Sequence, residues 1–222
     1  MRYLNSKILI ILVVLVLAGT YAVSHYRRNK ILEKIIERLS ADSRVAEALV
    51  TDVRYDPVSK KHYTTIKFLE YDTQSCPLAP KYFTFTQNII QFQAMVIRFD
   101  DFYVKSGHPL KGKSASIFLR VFALNGKGAE VCEINKVDTV PSGYALQQPA
   151  SRFETQLWKR FWEYALNPKE AKKVGIKNAQ IEAPGTKFIP GMVYTIVVEH
   201  DGGLRVDARP LPEIIKGEKI AF

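Results

Sequence analysis

Residues 8–18, ILIILVVLVLA, form an unbroken apolar run, and no formally charged side chain occurs from Ile8 until Arg27. Few folds accept such a stretch in water. As a helix rising about 1.5 Å per residue, residues 8–26 reach roughly 28 Å, close to the ~30 Å hydrocarbon core of a bilayer. Tyr21 and Tyr26 fall near the far end, where aromatic rings favour the interface. The run is apolar on all sides, whereas a helix at a protein surface keeps one face polar. The pattern predicts a basic tail at 1–7, a transmembrane helix at 8–26, a helical stalk at 27–46 and a β-rich globular domain at 47–222.

A cleaved signal peptide competes with this reading. Arg2 and Lys7 supply a positive flank, and Thr20-Tyr21-Ala22 resembles a small-x-small cleavage site. Retention is favoured because the span exceeds an ordinary signal core and the helical pattern continues through HYRRNKILEKIIERL. Thr20 stands where a lipoprotein signal needs cysteine, which excludes a lipid anchor of that kind. Orientation stays open. Arg27, Arg28, Lys30 and Lys34 follow the span and, by the positive-inside rule, place the domain in the cytoplasm. A short basic tail before an apolar run also marks export, and the expectation leans to an extracytoplasmic domain.

The same four basic residues are candidate membrane-surface contacts, since juxtamembrane Lys and Arg are each worth about 1 kcal/mol near anionic headgroups. The 222-residue chain carries a net charge of +10. Nucleic acid is the other partner such a balance suits, but a tethered chain meets lipid first. Leu32, Ile35, Ile36 and Leu39 form an apolar stripe at helical spacing in the stalk. It suits either a homodimeric coiled coil or packing on the chain's own domain, and packing is preferred because only about two heptads are visible.

From Leu49 the hydrophobic period turns toward two. Residues 49–55 and 62–71 flank the turn DPVSKK and read as a hairpin. Residues 81–86 and 89–99 read as strands, the second apolar on both faces in its latter half and therefore central. A short strand is expected at 102–104. In residues 114–124, Ala115, Ile117, Leu119, Val121 and Ala123 share one face on strict alternation. Asn125-Gly126 marks a hairpin to a strand at 129–137. Ser151 and Glu154 fit a capping box for a helix running to about Leu166, and Asn167-Pro168 opens a second short one. Residues 176–182, 192–200 and 204–209 complete the extended segments. In the 175–191 stretch, Ile176, Ile181 and Phe188 are expected to be buried. The fold class is mainly β (α+β): an antiparallel β-sandwich or partly open barrel of about eight strands with one amphipathic helix packed on it.

Chemistry-bearing residues are sparse. Asp100 and Asp101 follow a long strand and His108 lies in the next loop, a weak candidate for acid/base catalysis or cation binding. A solvated strand terminus is the plainer explanation. His62 stands beside the Lys60-Lys61 turn, outside any metal-binding spacing. No cofactor or metal is implied. Trp158 and Trp162, one helical turn apart, suit an interface or, more simply, the core. Cys76 and Cys132 are too few for a disulfide scaffold, but they form one candidate bridge if the domain is exported. The expectation is a non-enzymatic, single-pass membrane protein whose domain binds a protein, lipid or envelope component. The alternative is a membrane-anchored, carboxylate-dependent hydrolase.

Overall fold

The computed structural model describes residues 11–24, 26, 45–72, 75–99, 114–126, 128–146, 149–173, 176–199 and 203–213. The chain is mainly β, with ten strands in two antiparallel sheets. They are β1 (Val45–Asp56), β2 (Lys61–Glu70), β3 (Lys81–Phe85), β4 (Ile89–Phe99), β5 (Ser114–Leu124), β6 (Ala129–Glu133), β7 (Ile176–Glu182), β8 (Gly185–Lys187), β9 (Met192–Val198) and β10 (Leu204–Pro210). The first sheet runs β10-β9-β1-β2-β3. The second runs β6-β5-β4-β7, with β8 also paired to β4. Helices α1 (Arg152–Leu166) and α2 (Pro168–Lys173) interrupt the strands.

The two sheets share one core. Ala46, Ala48, Val50, Ile66 and Phe68 face Ile90, Phe92, Ala94, Phe118, Val121 and Ala123 across it. Phe68 stacks on Phe92 at 5.3 Å and meets Phe118 edge-on at 5.6 Å, so the aromatic contacts bridge the layers. The alternation that marked these segments as strands is the alternation that fills this core.

A second apolar layer lies on the other face of the second sheet. Met95, Ile97, Ile117 and Leu119 pack against Tyr144, Trp158, Trp162, Ala165 and Ala171. This is why β4 is apolar on both faces in its latter half. Ser151 caps α1 as expected, its Oγ accepting from Glu154 N at 3.1 Å. The return half of the capping box is spent elsewhere: the buried Glu154 carboxylate accepts from Leu146 N at 2.8 Å, tying down the preceding loop.

Several expectations are corrected. Ile117 and Leu119 do not share a face with Val121 and Ala123. The register slips between Gln93 and Ala94, leaving Leu119 as an extra residue on β5, and a bulge of one residue inverts the alternation. The strand expected at 129–137 ends at Glu133, because Ile134 N and Asn135 N both donate to the Leu119 carbonyl and turn the chain away. Phe188 is buried, but Ile181 is 54% exposed, since it lies on β7 at the border of the sheet. Of the two readings for Trp158 and Trp162, the interface is set aside and the simpler, preferred core placement holds: they are 1% and 0% exposed and pack in the helix–sheet layer. Cys76 and Cys132 are thiols with no bond between them. Cys76 is exposed beyond β2 in the first sheet, and Cys132 is half-buried on β6 in the second.

Residues 11–24 are helical, about 21 Å at 1.5 Å per residue. Their side chains are exposed, Leu15 and Leu17 by 64% and 63%. Among the described residues, no helix is long and apolar enough to cross a membrane. The beginning of the expected 8–26 span, most of the 27–46 stalk with its dimer stripe, and the strand expected at 102–104 lie outside the described residues.

Candidate functional site

A polar groove of about 550 Å³ opens at one end of the two sheets. Val53, Lys60, Lys61, His62, Thr64, Thr86, Gln87, Asn88 and Asn125 line it. Four segments converge there: the end of β1, the start of β2, the β3–β4 turn and the β5–β6 turn. Its volume is that of a small-molecule site or of a few units of a polymer.

One backbone irregularity builds the wall. On β1, Val50 lies opposite Ile66, and Val53 opposite Thr64, with Thr51 bulged between. Ile66 and Thr64 point inward, at 0% and 4% exposure, so Val50 and Val53 both do too, and Tyr55 follows opposite His62. Unbroken alternation would have turned Asp52 and Arg54 inward instead. The core stops at Thr64. There Val53, opposite Thr64, is 47% exposed and Tyr55 54% exposed, so the inner face leaves the core, and its Val53, Thr64 and His62 line the groove. The Tyr55 and His62 rings lie 4.9 Å apart on that face.

The hairpin tip is ordered by its own side chains. Asp56 accepts from Val58 N at 3.1 Å, from Ser59 N at 3.3 Å and from Ser59 Oγ at 2.6 Å. The Ser59 hydroxyl bond, with the backbone bonds, holds the Asp56 carboxyl below its usual range. The turn then passes through Lys60 with φ of 51°. That left-handed conformation strains a side-chain-bearing residue and suits glycine, yet here it sets a lysine at the groove lip.

The opposite rim is braced from behind. The Glu130 carboxylate accepts from Thr86 N at 2.7 Å, from Thr86 Oγ1, and from Asn125 Nδ2 at 3.1 Å. Burial pushes its pKa up, but the bonds from Thr86 and Asn125 and the charge of Lys61 outweigh this and hold it below the ordinary glutamate range. Phe188 N donates to the Asn88 carbonyl at 2.7 Å and fixes the β3–β4 turn. Gly126, at φ of 79°, makes the β5–β6 turn that presents Asn125.

A smaller cavity of about 120 Å³ lies between Phe68, Glu70, Leu78, Ala79, Lys81 and Ser142. Lys81 Nζ donates to the Ile134 carbonyl at 2.6 Å. Burial lowers the lysine pKa, with Glu70 pulling the other way. This contact links β3 to the segment after β6, across the two sheets.

Of the residues singled out from sequence, Asp100, Asp101 and His108, and the basic Arg27, Arg28, Lys30 and Lys34, lie outside the described residues. Among the described residues no three His, Cys, Asp or Glu side chains gather as a metal site would require. His62 and the Lys60-Lys61 turn are in the groove, but nothing in the sequence marks its amide residues Gln87, Asn88 and Asn125 as parts of a site. Each sits in a turn of ordinary composition, and only folding brings the turns together. Asn125 was visible solely as the first half of a hairpin dipeptide.

No protein-family model, curated protein or solved structure matches the chain.

Proposed function

We propose that this chain is a membrane-tethered binding module whose ligand site is the groove between the β1–β2 hairpin and the turns before β4 and β6. The observation that carries it is the groove itself: ammonium groups, an imidazole, three amides and two hydroxyls converge on one concavity. Such groups bind and orient a polar ligand, and the Glu130 brace holds the Thr86 and Asn125 side chains in place before any ligand arrives. The described lining residues include Lys60, Lys61 and His62 and none with a carboxylate or thiol, so they offer a basic surface.

The tether comes from the apolar run 8–26 and the basic residues after it. The exposed apolar side chains of residues 11–24 agree with lipid contact. The described domain begins at Val45, at the start of β1, and the groove lies at that strand's other end. At about 3.3 Å per residue Val45 and the groove-lining Val53 are roughly 26 Å apart. A ligand in the groove is therefore presented away from the strand end that follows the tether, on the extracytoplasmic side by this reading.

Two measurements test it. The full-length chain is expected to stay in the membrane pellet through alkaline carbonate washing, and a reporter fused after Phe222 to signal export. Recovery of the chain in the carbonate supernatant removes the tether. A cytoplasmic reporter reverses the orientation and leaves the groove as the ligand site.

A further inference from the structure

We propose that the groove binds an acidic polysaccharide: a hydrated sugar chain whose carboxylates meet Lys60 and Lys61 and whose hydroxyls meet Gln87, Asn88 and Asn125. This rests on the groove being the ligand site. The first support is charge. Lys60, Lys61 and His62 line the groove, and the nearby Glu130 carboxylate is already engaged by Thr86 and Asn125. An anionic group entering there meets ammonium groups, and hydrogen bonds of that kind are the strong ones.

The second support is the chemistry of the walls. Side-chain amides both donate and accept, which matches sugar hydroxyls. Among the described lining residues Val53 is the one aliphatic side chain, so the apolar side chains of an extended peptide find no pocket there. The third is an aromatic ring next to the lining: Tyr55 stands 4.9 Å from the ring of His62, which lines the groove. Tyr55 gives a half-exposed flat face of the kind that covers the apolar C–H side of a sugar ring.

The fourth is backbone strain. Lys60 occupies a left-handed conformation that glycine adopts without cost. A lysine there is explained by what its ammonium binds, and this separates function from folding in a single substitution. Lys60→Gly is expected to raise the unfolding midpoint and to weaken the acidic ligand.

The test uses the full-length protein in nanodiscs and calorimetric titration with three probes: oligogalacturonate, a neutral oligosaccharide of the same length, and a poly-glutamate peptide. Oligogalacturonate is expected to bind at least about tenfold tighter than either of the others. The exposed double change K60Q/K61Q is expected to weaken it about tenfold or more, the equivalent of one charged hydrogen bond lost. Val53→Trp, which fills the groove, is expected to abolish it. Poly-glutamate or the neutral sugar binding as tightly as oligogalacturonate overturns the sugar-acid assignment. If Val53→Trp still abolishes that binding, the groove stands as the ligand site. Absence of oligogalacturonate binding also overturns the assignment. Binding that ignores both K60Q/K61Q and Val53→Trp overturns the assignment and the site together.

Discussion

Val53 lies directly opposite Thr64, although Val50, three residues earlier, lies opposite Ile66, two residues later. The odd spacing on one strand against the even spacing on the other is the whole effect of the Thr51 bulge. It exchanges Asp52 and Arg54 for Val53 and Tyr55 on the inner face, and that exchange puts Val53 in the groove wall.

Deleting Thr51 preserves every pairing on either side of it and restores regular alternation. The variant is expected to fold, with stability within about 1 kcal/mol of the parent, because only one side-chain bond, Thr51 Oγ1 to the Thr65 carbonyl, is lost. The added twist of the bulge is lost with it, so groove binding is expected to weaken. Denaturant midpoints and titration of the deletion variant check both halves.

Glu130 ties the β5–β6 turn to the β3–β4 turn, and its folded pKa is lowered. A carboxyl with a lowered folded pKa stabilises the protein above its unfolded pKa, near 4.5. That contribution fades as pH falls below this value and through the folded one. Glu130→Gln is expected to cost about 1–2 kcal/mol at pH 7 and to flatten stability between pH 5 and the acid limb. Urea melts of both proteins across that window measure it, and parallel curves sink the assignment.

Trp158 and Trp162 are equally buried but differently bonded. Trp162 Nε1 donates to the Thr139 carbonyl at 2.7 Å, whereas Trp158 Nε1 has no hydrogen-bond partner among the described residues. Trp162→Phe strands a carbonyl and is expected to cost about 1–3 kcal/mol more than its volume change alone. Trp158→Phe loses volume only. Alanine at either site is expected to cost about 3–5 kcal/mol. Equal Trp→Phe penalties would show that the Thr139 bond contributes nothing.

The two cysteines are expected to react at different rates. Cys76 is exposed. Cys132 is half-buried, and burial, with the charge of Glu130, pushes its thiol pKa up, which reduces the thiolate that attacks. Alkylation under native conditions should label Cys76 first, with Cys132 following slowly or on unfolding. Intact mass of the unreduced protein should show two thiols.

Much of the fold was legible because its signals are local. Asn125-Gly126 announces its hairpin through glycine's tolerance of positive φ, and Ser151 announces α1 through a cap formed within one turn. The β4 strand, apolar on both faces, announced burial between two layers, and the helix bearing Trp158 and Trp162 supplies the second. Ile181 was misplaced because alternation says which residues share a face and not whether anything covers it.

The candidate site was not legible in that way. Sequence alone determined the apolar run, the strands, the turns and the capped helix, each decided by residues a few positions apart through steric preference, hydrogen bonding to the nearest backbone and side-chain period. Only the tertiary structure decided that Thr51 and Leu119 would bulge, since a bulge is chosen by the partner strand and the core it must fit. And only the tertiary structure brought Lys60, Lys61 and His62 to Asn88 and Asn125, because turns so distant in the chain meet only when two sheets close on a common core.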